Sequence, residues 1–157
     1  MSVAAGRLNC SVREMLVSDL FAVSVIEESS YGFPWSRRVL ADCLRSNYIC
    51  RVIEYDNTLL GYAIMSRGAG EAHILNICVD PAFRSKGIGT MLVSYLLQNA
   101  ELAGAESIFL EVRPSNLSAL KLYESFGFKQ VATRVNYYPT MTGREDALVF
   151  SKVLVVQ

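Results

Sequence analysis

Residues 76–90 read Asn76-Ile-Cys-Val-Asp-Pro-Ala-Phe-Arg-Ser-Lys-Gly-Ile-Gly-Thr90. An apolar strand runs into a Pro-containing turn, and the turn runs into a loop, Arg84 to Gly89, that opens a helix. Ile88, Met91, Leu92, Tyr95, Leu96 and Leu102 then recur mostly at helical spacing. Such a loop presents several backbone N–H groups at the positive end of a helix dipole, a geometry that favours phosphates. Gly87 and Gly89 let an anion approach the backbone with no Cβ in the way. Arg84 and Lys86 add positive charge. The Gly-Lys-Ser/Thr ending of a Walker loop is absent, and so is the three-glycine dinucleotide fingerprint. Taken alone, the glycines are equally compatible with an ordinary strand–turn–helix.

Outward from this stretch, the chain has the length of one domain, 157 residues, with 52% hydrophobic residues. That is enough to bury a core and argues against disorder. Fifteen basic and fifteen acidic residues balance to a formal net charge of zero. This gives no reason to expect nucleic acid or an anionic membrane as a partner. The N-terminus lacks a basic segment followed by a long apolar run, and no apolar stretch reaches the ~18 residues of a membrane span. A cytoplasmic location is expected. Cys10, Cys43, Cys50 and Cys78 form no Cys-x-x-Cys pair and read as reduced core residues. With His73 as the one histidine, no histidine-based metal cluster is available, and a structural role for it is favoured.

Residues 1–8 read as a loose leader. A strand is expected at Asn9–Arg13. Ser18 or Asp19 then caps a helix to about Ser29, with Leu20, Val23, Ile26 and Glu27 on one side. Tyr31-Gly-Phe-Pro-Trp35 breaks it. Ser36 caps a second helix to Ser46, with Val39, Leu40, Cys43 and Leu44 inward. A hairpin turning at Asp56-Asn57 joins strands Tyr48–Tyr55 and Leu59–Arg67, and Glu71–Val79 follows. The loop helix ends near Gly104. Ser107–Val112 is a strand. Ser115 or Asn116 caps a helix with Ala119, Leu120, Tyr123 and Phe126 on one face, ending at Gly127. Strands Phe128–Asn136 and Ala147–Val155 close the chain, joined by a loop. This predicts an α+β (α/β three-layer) domain with a mostly antiparallel sheet of about six or seven strands and about four helices. The unit 76–112 is a βαβ crossover, so its two strands should be parallel.

Glu111 lies near the end of an apolar strand, where a carboxylate is uncommon unless paired or used. It shares a face with Phe109 and Arg113, so it reads either as a base or as a surface partner of Arg113. Tyr123 falls seven residues after Asn116 on the same helix face. It reads as a proton donor or as a core tyrosine. Asn116 reads as a cap, a ligand contact, or both.

The Arg-x-x-Gly-x-Gly loop after Asn-Ile-x-Val-Asp-Pro resembles the acetyl-CoA pyrophosphate loop of the GNAT acetyltransferase superfamily. Phe33-Pro-Trp-Ser36, Leu110-Glu-Val-Arg113, Ser115-Asn116, Leu122-Tyr-Glu-Ser-Phe-Gly-Phe128, Asn136-Tyr-Tyr-Pro-Thr140 and Gly143-Arg-Glu-Asp-Ala147 extend the likeness over residues 12–153. Together they are similar to the RimI family, whose members acetylate the N-terminal alanine of the eighteenth protein of the small ribosomal subunit. The resemblance implies a general base at Glu111 and a general acid at Tyr123. It implies acetyl-CoA contacts at Ile77, Cys78 and Val79, at Ser85, Lys86, Gly87, Ile88, Gly89 and Thr90, and at Asn116, with no metal. It also implies a bulged strand before the loop, splayed from its neighbour. Position 85 departs from the pattern: it is Ser where a basic residue is common, which throws phosphate affinity onto Arg84 and Lys86.

Trp35, Tyr137 and Tyr138 are aromatic, are placed in loops, and are expected to line a channel for the acceptor, the N-terminal peptide of a ribosomal protein. Two other readings stay open: a GNAT enzyme for a small amine, and a non-catalytic acyl-CoA-binding module. Physics favours an α-amine. At pH 7 a terminal amine of pKa about 7.9 costs ~1.2 kcal/mol to deprotonate, against ~4.6 kcal/mol for lysine.

Overall fold

The computed structural model describes residues 2–5 and 8–154, with the backbone alone at 2–5 and 8. Met1, Gly6 and Arg7 of the expected leader, and Val155 of the expected last strand, lie outside the described residues. Eight strands order as β1-β2-β3-β4-β5-β6-β8-β7. They are β1 (Ser2–Ala5), β2 (Leu8–Glu14), β3 (Ile49–Tyr55), β4 (Thr58–Gly68), β5 (Glu71–Val79), β6 (Ser107–Val112), β7 (Lys129–Thr140) and β8 (Gly143–Val153). Four α-helices are described: α1 (Leu20–Ser30), α2 (Arg37–Arg45), α3 (Ile88–Leu102) and α4 (Leu117–Ser125). The sheet is mostly antiparallel, with the expected parallel pair β5–β6, from Glu71↔Ser107 to Ile74↔Leu110. The leader supplies an eighth strand: β1 pairs antiparallel with β2.

The backbone divides into two compact units, Met1–Ser66 with Asn76–Leu96, and Arg67–Leu75 with Leu97–Gln157. In the first, β4 buries six successive residues, Leu60 to Met65, the pattern of a strand covered on both faces. Its hairpin with β3 turns at Asp56 (φ 51°) and Asn57 (φ 63°), the left-handed pair whose twist matches the flanking strands. Ser36 caps α2 as expected, accepting from Val39 N–H at 3.2 Å. Val39 itself is exposed, and Leu40 and Cys43 carry the burial. Asp19 does not cap α1. Its carboxylate accepts from Leu16 N–H at 2.7 Å and from Arg13 at 2.8 and 2.9 Å. A charge-assisted fork outcompetes a cap. A 3-10 turn at Val17–Asp19 therefore precedes the helix.

In the second unit, α3 and α4 end alike. Gly104 (φ 79°) and Gly127 (φ 88°) take the left-handed position. Gly104 N–H returns to Glu101 O at 3.0 Å and Ala105 N–H to Ala100 O at 3.0 Å. Gly127 and Phe128 repeat this with Glu124 O and Tyr123 O. Both ends are Schellman motifs, and both glycines were legible as stops. Leu102, expected on the apolar face, is exposed at the helix end. β6 alternates, with Ile108, Leu110 and Val112 buried and Ser107, Phe109 and Glu111 on the other face.

The expected loop after Asn136 is strand. β7 continues to Thr140, with Tyr138↔Glu145 and Pro139↔Arg144 in register with β8. Pro139 is tolerated because β7 is an edge strand. The register shifts between Arg134 and Tyr138, where Asn136 adopts φ 53° and donates its N–H to Asp146 Oδ1 at 2.9 Å.

Candidate active site

In the first unit, β5 runs on through Asn76 to Val79, beyond its register with β6. Ile77 O accepts from the Tyr31 hydroxyl at 3.1 Å. Cys78 is buried and burial pushes its thiol up, so it stays a neutral thiol rather than a nucleophile. β4 crosses close by: a Cβ on Gly61 would meet Cys78 O at 2.6 Å. Asp80 closes the turn by accepting from Ala82 N–H at 2.9 Å, and Arg84 Nε donates to Val79 O at 3.3 Å.

The loop then alternates hand. Ser85 (φ 62°) and Gly87 (φ 81°) are left-handed, an alternation of the kind from which backbone anion nests are built. A serine held there is strained, and such strain concentrates at functional loops. Met91 N–H donates to Gly87 O at 3.1 Å. The amides of Ile88, Gly89 and Thr90 lead the helix with no earlier turn to accept from them. Loop positions 84–87 and Thr90 are exposed.

Trp35 also belongs to this unit. It is half-buried, and its N–H donates to Glu27 Oε2 at 2.8 Å. Glu27 is 1% exposed. Its Oε1 accepts from the Tyr62 hydroxyl and from Asn76 Nδ2 at 2.9 Å. Sequence periodicity put Glu27 on the buried side of α1 but gave it no partners.

In the second unit, Glu111 Oε2 lies 2.9 Å from His73 Nε2. The side chains are 14% and 36% exposed. Glu111 does not pair with Arg113, which instead reaches Glu145 Oε1 at 3.2 Å. The His73 contact depends on strand register, since β5 and β6 run parallel with His73 opposite Phe109. No spacing rule could have found it. Tyr138 is half-buried, and its phenol is pushed up to about 12, first by burial and then by the charge of Glu111. Tyr137 packs edge-on against it at 5.0 Å. Tyr123 is buried, and burial, with Tyr138 adding, pushes its phenol up. It therefore holds its proton at neutral pH. Asn116 caps α4 through Oδ1, accepting from Ala119 N–H at 3.2 Å. Tyr138 thus feels Glu111 and is itself felt by Tyr123. No group of three or more His, Cys, Asp or Glu side chains able to hold a metal occurs among the described residues. Among them, no helix is long and apolar enough to cross a membrane.

A mostly antiparallel sheet with one parallel pair closed by a βαβ crossover is the architecture of the acetyltransferase class. The model of the acetyltransferase (GNAT) family matches residues 12–128. The ribosomal protein bS18-alanine N-acetyltransferase of Salmonella typhimurium is 38% identical over 134 residues, covering 85% of this chain and 90% of that protein. The crystal structure of the ribosomal-protein-S18-alanine N-acetyltransferase from Escherichia coli superposes with a TM-score of 0.89 at 34% identity, covering 94% of this chain and 96% of that one. Ard1 from Thermoplasma volcanium superposes with a TM-score of 0.85 at 25% identity, covering 93% and 98%. The chain belongs to the GNAT acetyltransferase family, in its RimI branch of ribosomal-protein-alanine N-acetyltransferases, and is an N-acetyltransferase.

Proposed function

We propose that this enzyme acetylates the N-terminal alanine of a small-subunit ribosomal protein, the bS18 type, using acetyl-CoA, in the cytoplasm. The substrate reading is supported by the 38% identity to a relative of that name. The cofactor reading is supported by the left-handed Ser85 and Gly87 and the leading amides of α3. When bound, acetyl-CoA supplies the acetyl group as a thioester. The amides of Ser85, Lys86, Gly87, Ile88, Gly89 and Thr90 hold its pyrophosphate, with Arg84 and Lys86 adding charge. Ile77, Cys78 and Val79 present strand amides and carbonyls to its arm, and Asn116 offers its amide.

The observation that carries the mechanism is the Glu111 carboxylate. It is nearly buried, and one oxygen is committed to His73. Glu111 Oε1 is thereby left to accept the proton of the incoming amine. Tyr123 keeps a proton at Oη, where a departing thiolate can take it. Trp35 in the first unit, and Tyr137 and Tyr138 in the second, are each assigned to contact the acceptor. Direct attack by the amine fits a buried Cys78 whose thiol burial pushes up.

The test is purified enzyme with acetyl-CoA and, at equal concentration, either a peptide copying the bS18 N-terminus or spermidine. The peptide should turn over faster, and intact-mass analysis should show the ribosomal protein unacetylated in cells lacking the gene. Faster turnover of spermidine sinks the protein-substrate reading.

A further inference from the structure

Arg113 and Glu145 have no part in the mechanism above, yet they anchor a polar cluster in the second unit. Arg113 Nη1 donates to Pro139 O at 3.0 Å and to Glu145 Oε1 at 3.2 Å. Its guanidinium lies 4.4 Å above the centre of the Tyr138 ring. Glu145 Oε2 accepts from Ser115 N–H at 3.0 Å. Glu145 is also the cross-strand partner of Tyr138. Four segments therefore meet at one ion pair: the end of β6, the turn before α4, and both strands of the β7–β8 hairpin.

Three physical facts bear on what this does. Pro139 has no N–H, so the β7 edge at Tyr138 is held by fewer ladder bonds than an ordinary hairpin. A flat guanidinium stacked on a phenol ring fixes the ring plane as well as its position. The ring so fixed is the one whose phenol feels the charge of Glu111. A wall beside the base limits what can be attached to the amine it deprotonates.

We propose that Arg113 and Glu145 are positioning residues for acceptor selectivity: by clamping Tyr138 they hold the wall that admits a small first side chain and rejects a large one. This rests on the reading of Glu111 and the Tyr137–Tyr138 segment given above. A wall of fixed position discriminates by about 10–200-fold per methylene in an apolar pocket. A wall free to swing loses that discrimination while the chemistry continues.

The experiment compares kcat/KM for two peptides that differ only in the first residue, Ala or Leu, in wild type, Arg113→Ala, Glu145→Ala and Glu145→Gln. Calorimetric binding of both peptides is measured in parallel with coenzyme A present. The selectivity ratio is internal to each variant, so a reduced folded fraction or weaker cofactor binding cancels. The Ala-over-Leu ratio should fall at least about tenfold in Arg113→Ala and Glu145→Ala, with the Leu peptide gaining affinity. Glu145→Gln, which keeps an acceptor oxygen, should fall between them and wild type. If Arg113→Ala fails to fold, the two Glu145 variants decide. Wild-type ratios in folded, active Glu145→Ala overturn the proposal. Absence of peptide acetylation by wild type overturns the underlying function instead.

Discussion

Glu27 in the first unit and Glu111 in the second are both carboxylates on apolar segments, and they are surrounded in opposite ways. Glu27 is sealed, with one oxygen taken by the Trp35 amide and the other by Tyr62 and Asn76. Those donors come from the segment after α1, from β4 and from β5. Glu111 keeps 14% of its side chain exposed and has one partner, His73, among the described residues. A carboxylate saturated with donors is stabilised as an anion and has no lone pair to offer a substrate. A carboxylate with one committed oxygen retains a basic site. The contrast teaches that burial alone does not decide what a carboxylate can do; the number of donors already spent on it does.

The largest effect should come from breaking the second site. Glu111→Gln keeps the shape and removes the basic oxygen, so turnover at neutral pH should fall about 10²–10⁴-fold with the melting temperature little changed. The loss should shrink as pH rises past the amine pKa of about 7.9, because the substrate then arrives deprotonated. Tyr123→Phe should also lose turnover, without rescue by pH. Initial rates across pH 6 to 9 check both. Wild-type rates in both variants would leave catalysis to positioning alone.

Breaking the first site should do the reverse. Glu27→Ala strands three donors, of which the Tyr62 hydroxyl is fully buried, and should destabilise by about 3 kcal/mol, a drop of roughly 6–12 °C in Tm for a chain of this size. Glu27→Gln should lose about half of that, since one amide N–H then faces a donor. Thermal melts decide this: an unshifted Tm in Glu27→Ala would remove the distinction between the two glutamates.

The smallest effect sharpens the comparison with a third carboxylate. Asp19 is nearly buried, and its pKa is lowered chiefly by the hydrogen bonds from Arg13. A folded pKa below the unfolded one stabilises the protein above the ordinary carboxylate range and is lost as pH falls through the folded value. Asp19→Asn should therefore cost about 1 kcal/mol at pH 7, and the gap from wild type should close toward pH 3. Urea midpoints at the two pH values measure it, and an equal gap at both would refute the assignment.

Local chemistry in the sequence was enough for the elements and their ends. Ser36 and Asn116 as caps, Gly104 and Gly127 as stops and the Asp56-Asn57 hairpin all follow from neighbours within a few residues, and the parallel crossover follows from the strand–helix–strand order. The left-handed turn at Ser85 and Gly87 is likewise a local feature of consecutive backbone groups. Where the local signal was misleading, a distant partner had won. Asp19 abandoned the cap for Arg13, and Tyr137 to Pro139 became strand because β8 supplied an edge to pair with. What only the tertiary structure decided was the pairing of charges. His73 with Glu111, Arg113 with Glu145, and Glu27 with Tyr62 and Asn76 are separated by 38, 32, 35 and 49 positions. Side-chain hydrogen bonds reach about 3 Å, so strand register and helix packing, set by the burial of the whole chain, choose which distant residues come within range.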